Sequence, residues 1–298
     1  MNQGSIFKFI ISSVHELEAA HKSQPVNPIP FHSFLLLHSP HRSIFTTPTS
    51  KSFFPNTKKM KVLLIGATGN LGSRLIPALL THSHSLVVYV RTPSKLSTLL
   101  APSVLSRITV IQGDATDPVA IKQALLDNKC DALVTTAGVS AIAPWGKSDF
   151  PRIFRAVVEG AAAAGSERGR PLRAWLLGGI PLFPEHIPNL ALLRSLPGSA
   201  LEWSLLCPSA LKPQGTTMEV PTTTWTTGRL IGGATSPPLW TRHWFDAIPF
   251  LGNLVSAGMN AGRYVTTLER CAEFIAGDLE LGTGEWVGKA VGVIEEGK

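Results

Sequence analysis

Lys61-Val-Leu-Leu-Ile-Gly66-Ala-Thr68-Gly69-Asn70-Leu71-Gly72-Ser-Arg74-Leu-Ile places an apolar run, a glycine-rich turn and a helix-period segment in immediate succession. Each glycine has its own steric task. Gly66 lets the chain turn sharply off a strand, Gly69 removes the Cβ that would block a bound pyrophosphate, and Gly72 lets the following helix pack close to that strand. Free backbone N–H groups at the helix start, with the helix dipole behind them, then face an anion. A glycine pattern alone is weak evidence, but strand, turn and helix in this order supply the context that gives it meaning. The alternative is a tight strand-to-helix turn that binds nothing. The lysine and Ser/Thr of a P-loop are missing, so nucleoside triphosphate hydrolysis is not expected.

Outward from this segment, short apolar runs alternate with helix-period stretches, the pattern of a parallel sheet covered on both faces. Strands are predicted at 61–65, 86–90, 108–111, 132–136, 173–177 and 201–206, Val/Ile/Leu-rich and hardly alternating, as doubly buried strands should be. Helices fit between them at 71–80, 94–100, 118–128, 150–164 and 186–196. Thr92 before Pro93 and Asp117 before Pro118 each read as a capping oxygen ahead of an N1 proline. The expected fold is α/β, a doubly wound, mostly parallel sheet of Rossmann type. Residues 212–263 are rich in Thr, Gly, Pro and Trp without a firm period, and about 209–265 are expected to form a small substrate-side cover. A last helix at 268–279 and a strand near 286–294 return to the sheet. No internal repeat is visible.

Composition narrows the functional classes. The chain has 298 residues, 44% of them apolar, ample for a substantial core. Cys130, Cys207 and Cys271 are far apart, without CxxC or Cys/His spacing, so neither a disulfide framework nor a structural metal is expected. No apolar run approaches the ~20 residues of a membrane span, which predicts a soluble protein. The net charge of +7 is uneven: residues 1–59 hold six Lys/Arg against two acids, and the remainder holds 21 against 18. No basic stripe interleaves with aromatics, so nucleic acid is a weak candidate partner. Residues 1–59 lack sustained periodicity and are expected to be a disordered extension to a domain spanning 60–298. Translation starting at Met60 is one explanation of that extension; a mitochondrial presequence is the other, favoured by few acids and weakened by Arg42 being its sole arginine. Cytoplasmic localisation is the expectation, mitochondrial if the presequence is genuine.

Across most of 60–298 the chain resembles the atypical and extended short-chain dehydrogenase/reductase superfamily, especially its NmrA-like and fungal NAD(P)-binding reductase-like groups. The resemblance rests on Gly66-Ala-Thr-Gly69-Asn-Leu-Gly72, Gly113-Asp114-Ala-Thr-Asp117, Thr135-Thr136-Ala137-Gly138, Glu202-Trp203-Ser204-Leu-Leu-Cys207-Pro208 and Tyr264-Val-Thr-Thr-Leu-Glu269. It implies a nicotinamide cofactor on the first turn, with Thr68, Asn70 and Leu71 between the glycines. An NAD site usually offers a carboxylate about 20 residues past the turn for the ribose 2'-OH. No Asp or Glu occurs between Met60 and Gly113; Arg91 stands after the second strand, with Thr92, Ser94 and Lys95 beside it. A guanidinium pairs bidentately with a phosphate, so Arg91 and Lys95 point to NADP over NAD, unless both are solvated surface cations. Asp114 follows the third strand, where the family's aspartate meets adenine, though a turn or cap role serves equally. Thr136, Ala137 and Gly138 follow the fourth strand, where small residues admit the cofactor to the backbone or make an ordinary tight loop.

The family's Tyr-x-x-x-Lys pair, whose lysine lowers the tyrosine pKa for proton transfer, is absent. Pro93 and Leu268 stand four residues beyond Tyr89 and Tyr264, the two tyrosines of the chain. Gly178-Gly179 occupies the place after the fifth strand where the family's serine often stands, and the segment from there to His186 is short beside relatives that carry a tyrosine in it. His186, at a helix start with a near-neutral intrinsic pKa, and Ser140, after the fourth strand, are the candidate proton-transfer groups; a cap or surface role is the alternative for His186. Cys207 reads as a packed thiol. The expected function is an NADP-dependent oxidoreductase passing hydride to a small apolar carbonyl, quinone or flavin-like acceptor. The alternative is a non-catalytic NmrA-like cofactor sensor. Trp225, Trp240 and Trp244 favour a small-molecule pocket, with ordinary core packing an equal alternative for them; the missing Tyr/Lys pair favours the sensor, and an isomerase lacks its usual acid and base.

Overall fold

The computed structural model describes residues 58–138, 148–178, 186–208, 210–215, 220, 228–234, 238–239, 241, 260 and 264–297. Its strands are β1 (Lys61–Ile65), β2 (Ser85–Val90), β3 (Ile108–Gln112), β4 (Ala132–Thr135), β5 (Leu172–Leu177), β6 (Leu201–Cys207), β7 (Ala210–Lys212), β8 (Leu230–Gly233), β9 (Val265–Thr267) and β10 (Lys289–Glu295). The helices are α1 (Asn70–Thr81), α2 (Ser94–Leu99), α3 (Pro102–Leu105), α4 (Pro118–Asp127), α5 (Phe150–Glu167), α6 (His186–Ser195) and α7 (Leu268–Leu281). Eight strands form one sheet in the order β3-β2-β1-β4-β5-β6-β10-β8, parallel except that β8 runs antiparallel to β10. β7 and β9 pair in parallel beside it. The doubly wound α/β architecture expected from the sequence is the one observed. Strand order reverses between β1 and β4, the switch point at which ligand crevices of open α/β sheets lie.

Side-chain alternation along each strand feeds two cores. Val62 and Leu64 point into a cluster with Leu75, Ile76 and Leu79 of α1 and Ile275 and Leu279 of α7. Leu63 and Ile65 point to the other face, among Ile121 and Leu125 of α4 and Phe154, Val157 and Val158 of α5. Each such side chain, fully withdrawn from water, contributes about 1.5–3 kcal/mol. A buried polar network closes the first face: Arg173 Nη2 donates to Asp278 Oδ2 at 2.7 Å, and Trp175 Nε1 donates to the same oxygen at 2.8 Å. Trp175 is fully buried, with the Phe274 ring edge-on at 5.9 Å.

Local signals account for most element ends. Asp117 Oδ1 accepts from the backbone N–H of Val119 and Ala120, at 2.9 and 3.0 Å, and starts α4 with Pro118 at its first position. Thr267 caps α7 through its hydroxyl, and Gly282, at φ 60°, ends it. Thr92 departs from the reading given above. Pro93 is itself helical, at φ −56° and ψ −34°, and α2 has no side-chain cap; the Thr92 carbonyl, not its hydroxyl, accepts from Lys95 N at 3.2 Å. β3 also departs from the doubly buried pattern, because as an edge strand it has β2 as its single neighbour, and Thr109 and Val110 are exposed. β10 starts three residues later than read, after a turn in which Trp286 packs on Phe274. Trp225, Trp240, Trp244 and most of the expected cover lie outside the described residues, as do residues 1–57. Among the described residues no helix is long and apolar enough to cross a membrane.

Candidate functional site

At the carboxyl ends of β1 to β4 the chain encloses a cleft of about 430 Å³. Gly66, Thr68 and Gly69 line it from the turn after β1, and Tyr89, Val90, Arg91, Thr92 and Lys95 from β2 and the start of α2. Residues 113–116, after β3, and Thr136, Ala137 and Gly138, after β4, complete the sheet edge. The N-terminal end of α5 adds Asp149, Arg152 and Ile153, one face of a helical turn.

The glycine turn is built by close approach. Gly66 sits at φ +89°, and a Cβ there would stand 2.5 Å from Ala137 N; one on Gly72 would stand 2.1 Å from the Gly66 carbonyl oxygen. Gly69 differs, since a Cβ on it would meet only the Gly66 oxygen, at 3.3 Å, and otherwise open space. The first turn of α1 has no side-chain cap and no acidic residue. A helix start with nothing set against its dipole, fronted by a glycine whose missing side chain leaves room, fits a pyrophosphate. Thr136 holds this arrangement from β4, its N–H bonded to Ile65 O at 3.0 Å and its hydroxyl to Gly66 O at 3.3 Å.

Nine of the sequence-derived cofactor residues line the cleft: Gly66, Thr68, Gly69, Arg91, Lys95, Asp114, Thr136, Ala137 and Gly138. Asn70, Leu71 and Gly72 do not. Asn70 is exposed at the helix start, Leu71 is buried in the core and Gly72 serves helix–strand packing. Three cations, Arg91, Lys95 and Arg152, face the cleft with Asp114 and Asp149. Asp114 Oδ1 accepts from Thr116 N at 2.9 Å, and that bond, reinforced by the nearby Arg91 and Arg152 charges, holds its carboxyl below the ordinary value. Asp149 pairs with Arg152 at 3.4 Å, an exposed contact that a better acceptor can displace. Asp149, Arg152, Ile153 and Thr116 were not singled out in the sequence. The available signal was Asp149-Phe-Pro, a helix start soon after the fourth strand, whose first turn has to face the same sheet edge.

The two tyrosines are committed elsewhere. Tyr89 packs under Gly113 and donates its hydroxyl to Asp114 O at 3.2 Å; burial first, then the Asp117 and Asp114 charges, push its pKa up. Tyr264 donates to Pro238 O at 2.7 Å. His186 is buried with its ring edge-on to Phe150, 5.1 Å between centroids, and is not among the described lining of the cleft. Phe150 also packs against Gly138. Ser140 and residues 179–185 lie outside the described residues. Burial pushes Cys130 to about 11 and Cys207 and Cys271 to about 12, values of packed thiols without nucleophilic character at neutral pH. Among the described residues no group of His, Cys, Asp and Glu could hold a metal ion.

A switch-point cleft, an uncapped helix start behind a Gly-x-x-Gly-x-x-Gly turn and small residues after β4 define a Rossmann-type dinucleotide-binding domain. Residues 66–233, more than half of the chain, match the NAD(P)H-binding family, and the protein belongs to it. Oxidase pynE of Aspergillus niger is 32% identical over 117 residues, a match that spans 37% of this chain and 39% of that protein. The fold recurs in a wide-type short-chain dehydrogenase/reductase from Veillonella parvula solved in complex with NADP, at TM-score 0.52 and 15% identity, over 80% of this chain and 96% of that one. It recurs also in a Streptococcus pneumoniae protein provisionally assigned as an NADH-flavin reductase, at TM-score 0.51 and 16% identity, over 80% and 100% of the two chains.

Proposed function

We propose that this protein is an NADP-dependent oxidoreductase of the atypical short-chain type, acting on a small apolar carbonyl, quinone or flavin-like acceptor. The observation that carries the cofactor choice is Arg91 and Lys95 on the wall of the cleft, with no carboxylate following β2. A 2'-phosphate placed there gains charge-assisted bonds, whereas a 2'-OH finds no carboxylate at the end of β2, where an NAD site usually has one. The turn at Gly66 and Gly69 and the start of α1 would hold the pyrophosphate. Asp114, with its carboxyl ionised by the Thr116 amide, accepts from the adenosine end. A bound nicotinamide would supply or take the hydride, and the small residues Ala137 and Gly138 on the cleft wall would leave room for it.

Both tyrosines donate to backbone carbonyls, which argues against a phenol as the proton donor and for an acceptor that takes its proton from solvent. The partial likeness to an oxidase supports redox chemistry, and a small-molecule substrate is the partner proposed. The same commitment of the tyrosines favours a second reading, a non-catalytic sensor whose occupancy alters its contacts with another protein.

Tryptophan-quenching titration with NADPH and NADH, followed by NADPH oxidation with a panel of quinones, flavins and aldehydes, separates the two. Turnover with one acceptor class is the expected result, and tight binding without turnover would favour the sensor. Arg91→Glu should weaken NADPH binding about tenfold or more and leave NADH within about twofold. Equal losses for both would remove the 2'-phosphate assignment.

A further inference from the structure

Glu269, in the first turn of α7, has a side chain 8% exposed and uses both carboxylate oxygens. Oε1 accepts from Arg74 Nε at 3.1 Å, and Oε2 accepts from the backbone N–H of Gln214 at 2.8 Å. Arg74 belongs to the opening of α1, the helix whose amino end faces the cleft. Its Nη1 donates to Asn70 O and to Ser73 Oγ, both at 3.2 Å, and Ser73 Oγ donates to Asn70 O at 3.1 Å. The carboxylate thus touches two things that the chain keeps far apart: Arg74 in the opening of α1 and the segment just after β7.

Apolar packing already joins α1 to α7 through Leu75, Leu79, Ile275 and Leu279. A buried ion pair adds little stability over apolar side chains of the same size, because desolvation offsets attraction. What it adds is direction. The fork of Arg74 fixes the azimuth and height of the α1 opening relative to α7, and the second oxygen fixes Gln214 to the same point.

We propose that Glu269 is a positioning residue that links occupancy of the dinucleotide site to the segment following β7. The proposal rests on the cofactor reading above and deepens it. Phosphates bound to the α1 amides hold the first turn still, the turn holds Arg74 through Asn70 O, and Arg74 holds Glu269 on the Gln214 amide. Linkage makes the effect mutual, so a group that steadies Gln214 also tightens the dinucleotide.

Hydrogen exchange of the Gln214 amide, with and without saturating NADPH, tests this on the full chain. In the wild type NADPH should slow that exchange about fivefold or more, and Glu269→Gln should cut the slowing below about twofold while raising the NADPH Kd about three- to tenfold. Asp278→Asn breaks the other buried ion pair of α7. It should lower stability yet keep the NADPH-dependent slowing, which separates positioning from mere loss of packing. If Glu269→Gln does not fold, Arg74→Lys, which keeps the charge and loses the fork, should reduce the slowing in its place. Bound NADPH that leaves wild-type Gln214 exchange unchanged would overturn the proposal, as would Glu269→Gln retaining the slowing or Asp278→Asn losing it equally. Absence of NADPH binding to the wild type, seen by fluorescence in the same samples, would overturn the cofactor reading itself and this proposal with it.

Discussion

Gly72 and Gly69 stand three residues apart and answer to different demands. A methyl group on Gly72 would collide with the Gly66 carbonyl, which is backbone and cannot step aside. Gly72→Ala should therefore cost about 2 kcal/mol or more of stability, measured by urea denaturation. Gly69→Ala should cost about 1 kcal/mol or less while weakening dinucleotide binding, because its Cβ enters the open cleft. Comparable stability losses in the two variants would mean that Gly69 also serves packing. These roles were legible in the sequence because the motif is local: strand, turn and helix lie within one short run. Arg91 and Lys95 were legible for the same reason, one strand further on. Asp149, Arg152 and Ile153 were not, since only the reversal of strand order beyond β1 swings α5 over the cleft, and a helix start carries no mark of what it will face.

At the level of elements, α1 and α7 are clamped at the end remote from the cleft. His82, just past α1, lies between Glu273 and Glu280, two turns of α7 apart, with 2.6 Å to each carboxylate. The Glu273 contact leads in raising its pKa to about 9, against burial, with Glu280 adding to the rise. The folded state therefore holds a proton that the unfolded chain releases near 6.5. The clamp contributes fully below that value and is lost as pH rises through about 9. His82→Gln should be less stable than the wild type at pH 6, and the gap should close by pH 10, in thermal melts across that range. A gap that stayed constant over the range would show that the imidazole acts through shape and not charge. Neither the clamp nor the β7–β9 pair was readable beforehand, because three-residue strands have no period to detect and His82 meets its partners about 190 residues away. The long helices and central strands were readable to within a few residues, since their apolar spacing is set by burial on two faces.

Over the whole molecule, the sheet's switch point gathers loops from four strands and the starts of α2 and α5 into a single cleft, so a ligand there would brace much of the domain at once. NADPH at about 100 times its Kd should add about 2.7 kcal/mol of stability, and a site weakened about tenfold in Arg91→Glu should cut that gain to about 1.4 kcal/mol at the same NADPH concentration while sparing any gain from NADH. Differential scanning calorimetry reads both, and an identical loss with the two nucleotides would count against the 2'-phosphate site. The fold class was legible because alternating strands and helices with short connections admit few topologies. The pairing of Arg74 with Glu269 was not, being a match across 195 residues between helices that the sheet alone brings side by side. Trp175 carries a practical corollary. Its indole is buried between β5 and α7, hydrogen-bonded to Asp278. The chain has seven tryptophans, so in a variant that keeps Trp175 as its one indole, emission should stay blue while the layers are closed and shift to longer wavelength when water enters, a built-in gauge of sheet and helix coming apart.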